Sequence, residues 1–390
     1  MVRKIICLTG AILLAASVCI QADTHYVSWS GNMTPPYDSW ETAAYYVEFA
    51  VDAAEPGDTV YIDTGTFYLN NQVLTPAKLT LRGKGMDSTQ VIGGESIGYM
   101  FQLADSTTVE DIHFLGDGSS RAFWLGMALS NDQFFRRCKF THFSFGCISS
   151  DGIGYVEVTN CWFEVYESAI DFWVHGYYLI ENNTFYRPDD YGTAVDLFYN
   201  YGSLEFRNNV VIGGSKGVVG TYSRGKWEVT NNLFFDASRL GVAIDPNAEY
   251  QLIANNSLYV TLDSPIYPIS AIETSGTHDS TFIFNNIFVG YSPEIRILGW
   301  LDEDYDIRIM YNCFYSLEPF EDFVSVADPD AVLDSICENV YANPMYVDPE
   351  NGDLHLQYGS PCIDAGHPDI LDMDGTRSDI GAFLLRCFPH

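Results

Sequence analysis

Positive charge is what this sequence lacks. Lys and Arg number 19 against 52 Asp and Glu, for a formal net charge of −33. A surface of that sign repels nucleic acid and anionic lipid, so no nucleic-acid partner is expected. It also opposes polyanionic glycans unless a basic strip or a bound cation intervenes; neutral glycans and Ca²⁺ suit it better. Long apolar runs are scarce too. After Ile5–Ile20 no stretch is long and apolar enough to cross a bilayer, which excludes membrane insertion of the remaining chain. No Cys-x-x-Cys pair or Cys/His cluster has zinc-site spacing, which excludes thiolate metal binding.

The one apolar run has its own reading. Arg3 and Lys4 precede it, and Ile20-Gln21-Ala22 offers a small residue at its exit. This is the pattern of a secretory signal over residues 1–22, cleaved on export to leave a secreted or periplasmic product. A lipoprotein site at Cys19 fits less well, because Val18 is bulky. Seven cysteines follow the signal: Cys138, Cys147, Cys161, Cys313, Cys337, Cys362 and Cys387. Export permits disulfides, but an odd number leaves one thiol over. Cys138 and Cys161 fall in one repeat column, as a thiol ladder or a disulfide; Cys362–Cys387 could clasp the tail.

What is present is a repeat. Asn-Asn-x-apolar occurs at Asn182, Asn208, Asn231, Asn255 and Asn285, with looser copies at Asp111, Arg137, Asn160 and Tyr311. Successive steps are 26, 23, 22, 26, 23, 24, 30 and 26 residues. A period in the twenties marks a solenoid. The fourth position is always apolar, from Phe114 to Phe314, and so is the residue two before the signature, from Val109 to Ile309. Period-two alternation turns both inward across a corner. Asn suits that corner because it tolerates left-handed backbone angles, and stacked Asn side chains can bond along the axis. A leucine-rich repeat would need Leu-x-Leu frames, a propeller blade about 40 residues, and helical repeats a 3.6 period; none is met. The expected fold is an all-β, right-handed parallel β-helix over residues 23–340, with a closing segment over 341–390.

The ends differ from the coils. Ser39 can cap a helix from about Trp40 to Ala54, with Ala43, Val47, Ala50 and Ala54 on one face. This is the expected plug of the open end (about 39–55), stopped by Pro56-Gly57. The run Pro56-Gly57-Asp58-Thr59-Val60, then Gly65-Thr66-Phe67, then a strand ending Arg82-Gly83 resembles the opening of pectin-lyase-like right-handed β-helix proteins. The tail, with Asn343-Pro344 to Pro349, Gly359-Ser360-Pro361-Cys362 and Asp374-Gly375-Thr376-Arg377, resembles the closing segment of secreted bacterial members. The resemblance implies the fold and leaves activity open, because that fold hosts lyases, glycosidases, esterases, epimerases and non-enzymatic surface proteins. The Asn-Thr-Asp, Gly-His-Gly and Arg-Ile-Lys motifs of polygalacturonase-like enzymes are missing; the sequence offers only Asp189-Asp190 and a lone His175-Gly176. The pectate-lyase Arg-x-Pro-x-x-Arg motif is missing as well.

One constellation still carries chemistry. Aligning Ser168-Ala169-Ile170-Asp171-Phe172-Trp173 over Thr193-Ala194-Val195-Asp196-Leu197-Phe198 sets Asp171 and Asp196 in adjacent coils, about 5 Å apart. Carboxylates at that distance repel, so one keeps its proton towards neutral pH and the pair can act as acid and base, with the spacing of a retaining glycosidase. His175 could assist, while Trp173 and Tyr199 could stack on sugar rings and Arg224 and Lys226 follow one coil later. The plainer reading is that acidic solenoids place Asp on solvated faces and in turns, and that a one-residue shift would turn both aspartates away. Asp372-x-Asp374-Gly375 resembles the start of a calcium loop to which Asp379 could contribute, although the later acidic positions are absent. The sequence thus points to a polysaccharide or other glycan as partner. Two roles stay open: a carbohydrate-active enzyme of hydrolase or lyase type, or a non-catalytic surface protein that binds glycan.

Overall fold

The computed structural model describes residues 22–382 except 95–97, 119–120, 127–131, 145, 153, 174, 188–191, 200, 238–239, 245–247, 262–269, 275–279, 299–305, 317–322, 328–332 and 334. The signal segment, Asp189, Asp190, Asn200 and Cys387 lie outside the described residues. Within them the chain winds into three long sheets of 13, 11 and 12 strands, each coil adding one strand to each sheet. Neighbouring strands pair in parallel with the repeat in register; for example, Tyr177–Glu181 lies on Ser203–Arg207, and Thr184–Tyr186 on Val210–Ile212. Parallel strands joined by crossovers wind right-handedly. The protein is a right-handed parallel β-helix. No helix among the described residues is long and apolar enough to cross a membrane.

The two apolar columns fill the interior. Phe114, Phe140, Phe163, Phe185, Val211, Phe234, Leu258 and Phe288 are completely buried, as is the file from Val109 to Ile309. Phe140 and Phe163 stack at 4.7 Å, and Phe163 and Phe185 at 4.9 Å, with nearly parallel rings. Stacking in register lets each ring bury its faces against its own copies in the next coils.

The signature divides its work between its first two positions. The first is left-handed in every copy, with φ between 52° and 61° from Asp111 to Tyr311. The second is the ladder. Asn256 receives the Asn232 amide on its Oδ1 at 2.9 Å, and donates from Nδ2 to the Val229 carbonyl at 2.8 Å and to Asn286 Oδ1 at 2.9 Å. The same pattern runs from Asn183 through Asn209, Asn232, Asn286 and Asn312 to Asn339. Corner carbonyls and amides that would be buried without partners are satisfied coil by coil. Upstream the same column holds Cys161 and Cys138, both buried free thiols, with the Cys138 amide donating to Cys161 Sγ at 3.4 Å.

Both ends depart from expectation. The helix spans only Val47–Ala53, and no side chain caps it. Ser39 instead bonds with Thr42, and Ala44 is drawn into pairing beside the strand Thr24–Val27, with the Ser28 amide donating to the Ala44 carbonyl and the Ala44 amide to Tyr26. Tertiary pairing overrides helical propensity there. The shortened helix still packs on the first strands through Val47, Ala50 and Val51. The C-terminal segment forms a small antiparallel hairpin, Tyr346–Asp348 with Asp353–Leu356. Beyond it the chain doubles back along the flank of the 12-stranded sheet. Tyr346, Leu354, Cys362 and Ile380 pack on Leu233, Ile287, Val289 and Cys313, and Gly381 and Ala382 reach Asn285 and Ser257.

Candidate active site

The 11-stranded sheet places the aspartate pair. Strand Ile170–Phe172 lies on Thr193–Phe198 with Asp171 opposite Asp196. Ile170, Phe172, Val195 and Leu197 are completely buried, so alternation turns both aspartates to the outer face. There they are half-buried. Gly146 makes room for the first: a side chain on it would stand 2.9 Å from Asp171 Cβ.

Each aspartate keeps an Oδ1 that is sealed from solvent and accepts no hydrogen bond. Desolvation, reinforced by the charge of Asp171 and opposed by Lys216, pushes the Asp196 carboxyl up to about 6. Desolvation also raises Asp171; the Trp173 indole N–H and the charge of Arg121 oppose it, while Asp151 adds to it. The pair is therefore asymmetric. Asp196 is the better proton holder, and Asp171, with a donor and a cation facing it, the better anion.

The aromatic residues gather at the corner that follows. Trp173 stacks on Phe198 at 4.6 Å, and Tyr199 on Tyr222 at 5.2 Å. Tyr199 and Tyr222 both take left-handed backbone angles. Trp173, Tyr199, Tyr201 and Tyr222 are each about half exposed. His175 belongs to this corner. Its Nδ1 accepts the Tyr201 amide at 3.3 Å and its ring meets the Tyr201 ring edge-on. Arg224 lies over the Tyr201 ring, 5.4 Å from its centre. Lys226 lies past the corner: it is exposed on the next sheet, opposite Ser203. The structure thus brings together Asp171, Asp196 and Trp173, sets Tyr199, His175 and Arg224 along the adjoining corner, and puts Lys226 on another face. The sequence reading missed Arg121 and Lys216. Lys216 is in register with Thr193 at the start of the Asp196 strand; only the strand register, extended from coil to coil, could have found them.

The tail aspartates serve turns. Asp374 Oδ1 accepts the Thr376 amide and hydroxyl, Asp379 Oδ1 the Asp364 amide, and Asp372 Oδ2 the Asp379 amide. Among the described residues no group of three or more His, Cys, Asp or Glu side chains could hold a metal ion. One oxygen of each of Asp372, Asp374 and Asp379 thus accepts a backbone amide that would otherwise lack an acceptor.

The family described as right handed beta helix region matches residues 103–258. Among solved structures the chain is similar to pectate lyase Pel9A at 13% identity, covering 94% of this chain and 97% of that one, with a TM-score of 0.41. It is similar to a PL6 family polysaccharide lyase from Pseudopedobacter saltans at 13% identity, with coverage of 80% and 95% and a TM-score of 0.42. It is also similar to the catalytic unit of a GH87 α-1,3-glucanase from Streptomyces thermodiastaticus strain HF3-3 at 11% identity, with coverage of 76% and 67% and a TM-score of 0.37. No curated protein matches the sequence. None of these likenesses assigns a residue or a substrate to the present chain.

Proposed function

We propose that this is an exported β-helix protein that binds a neutral polysaccharide along the corner aromatics and hydrolyses it at Asp171 and Asp196. The observation that carries the reading is the in-register pair, with one sealed, unpartnered oxygen on each carboxyl and both carboxyls raised by desolvation, Asp196 to about 6. In this reading protonated Asp196 donates to the leaving glycosidic oxygen. Asp171, where Trp173 and Arg121 oppose the rise that desolvation causes, attacks the anomeric carbon as the anion, and water then releases the sugar. Neighbouring parallel strands set the two groups about 5 Å apart, the separation that goes with retention of configuration. Trp173, Tyr199 and Tyr222 offer flat faces to sugar rings. The acidic surface favours an uncharged chain.

A panel of neutral and acidic polysaccharides, assayed for both binding and reducing-end release, tests this. The parent should release product from a neutral member. Asp196→Ala and Asp171→Ala should each lower the rate by about 10²–10⁴-fold while binding persists, the usual worth of a positioned acid or base. Binding without product from the parent would leave a non-catalytic glycan-binding protein and end the enzymatic reading.

A further inference from the structure

The tail does more than lie on the solenoid; two cysteines meet under it. Cys313 stands in the strand Cys313–Tyr315 of a late coil, and Cys362 comes from the returning segment. Both are free thiols here, completely buried in the small cluster that fastens tail to sheet, and Cys362 stands close enough to perturb the ionisation of Cys313. Cys313 Sγ also donates to the Ala342 carbonyl at 3.2 Å, and buried Tyr346 belongs to the same cluster. Two cysteines from segments far apart in sequence, packed into one nine-residue buried cluster, are placed where a disulfide can join those segments.

We infer that Cys313 and Cys362 are a disulfide-forming pair that locks the C-terminal segment onto the flank of the β-helix. It replaces the Cys362–Cys387 clasp that the sequence suggested. The bond closes a loop of about 50 residues, long enough to matter. It forms as the tail docks, because burial keeps both sulfurs from any oxidant afterwards, and the neighbouring thiol together with burial raises the Cys313 pKa. The oxidant is a disulfide of the glutathione or oxidoreductase type. The thiolate of one cysteine attacks that disulfide and expels one thiol. The second cysteine then attacks the mixed disulfide and expels the other. Two protons and two electrons leave the protein, and one acceptor disulfide becomes two thiols.

In the cell the bond needs an oxidising compartment and so rests on the export reading. The experiment removes that dependence by refolding the full chain in a glutathione redox buffer. Cleavage after Arg and Glu, except before Pro, separates the relevant cysteines: Cys313 falls in residues 309–321, Cys362 in 351–377 and Cys387 in 387–390. Non-reducing mass spectrometry should find 309–321 joined to 351–377, unchanged in Cys387→Ala and lost in Cys313→Ala. With no reductant present, alkylation after unfolding should leave this pair unlabelled. Free alkylated Cys313 and Cys362, or a 351–377 peptide joined to 387–390, would overturn the inference whatever the protein's destination.

Discussion

Replacing Asp196 with asparagine separates a working carboxyl from a structural one by the sign of its effect on stability. Asp196 rises from the ordinary value of 3.8 to about 6 in the folded protein. The folded state therefore binds more protons than the unfolded state between those values, and stability falls as pH rises through that window. At about 1.4 kcal/mol per unit, the accumulated penalty is about 3 kcal/mol above pH 6 and vanishes below pH 3.8. The amide of the variant carries no charge to desolvate and meets no repulsion from Asp171. Allowing for an amide that is itself imperfectly bonded, Asp196→Asn should gain about 1–3 kcal/mol near pH 7.5 and nothing near pH 3.5. Urea unfolding of parent and variant at the two pH values measures the difference, and the polysaccharide assay should show the same variant inactive. A variant that is less stable than the parent at about pH 7.5 would refute the reasoning. That is how a carboxylate in a favourable ion pair behaves, and it would mean that Asp196 is held charged by partners rather than desolvated.

Glu294 makes the same point inside the solenoid: it is completely buried, neither oxygen has a partner, and desolvation pushes it up to about 8. The penalty on the folded state is absent below the ordinary value of 4.5 and reaches about 3 kcal/mol at pH 7. Glu294→Gln should therefore stabilise near pH 7 and lose the advantage near pH 4, as read from urea midpoints. The Asn ladder should show position dependence. Asn256→Ala strands the Asn232 amide and the Val229 carbonyl and should cost about 3 kcal/mol or more, at about 1–3 kcal/mol for each buried group left unpaired. Asn339→Ala, in the last rung and partly open to water, should cost about 1 kcal/mol in the same measurement.

The fold was legible because the corner makes two different demands on the chain. The ladder position needs a side chain that donates and accepts at once, so Asn recurs there and is easily seen. The left-handed position asks only for tolerance of an unfavourable backbone angle; Arg137 and Tyr311 occupy it, and so does Glu338, with φ of 56°. The copy Glu338-Asn339-Val340-Tyr341 was missed for that reason, although its strand pairs with Cys313–Tyr315. The course of the tail was written in the sequence but went unread. The third signature position is His113, Lys139, Trp162 and Thr184 in the early coils, then Val210, Leu233, Ser257, Ile287 and Cys313 where the tail covers the sheet, and among these five Ser257 instead accepts the Ala382 amide. The length of the first helix was not legible, because the pull of strand Thr24–Val27 on Ala44 is a contact between segments with no local trace.

For the site, the repeat alignment showed the pairing of Asp171 with Asp196 but not its electrostatics, which come from Arg121, Lys216 and Trp173 at other repeat positions. Occupied oxygens mark several of the other carboxyls, although Asp372 and Asp379 each accept a backbone amide and are still raised by desolvation. Asp58 accepts from Asp23, Glu55 and His25, Asp63 from Ser28, Thr64 and Lys84, and Asp374 from Thr376. Such hydrogen bonds lower the pKa of these groups and leave little to offer a ligand. Asp171, Asp196 and Glu294 have unfilled oxygens and raised pKa values. Glu294 is closed off from solvent, whereas the aspartate pair faces outward beside exposed rings. Asp171 and Asp196 differ in degree, since Trp173 and Arg121 oppose the rise at the first and Lys216 alone opposes it at the second, and two coupled carboxyls on an outward face are what the proposed acid and base call for.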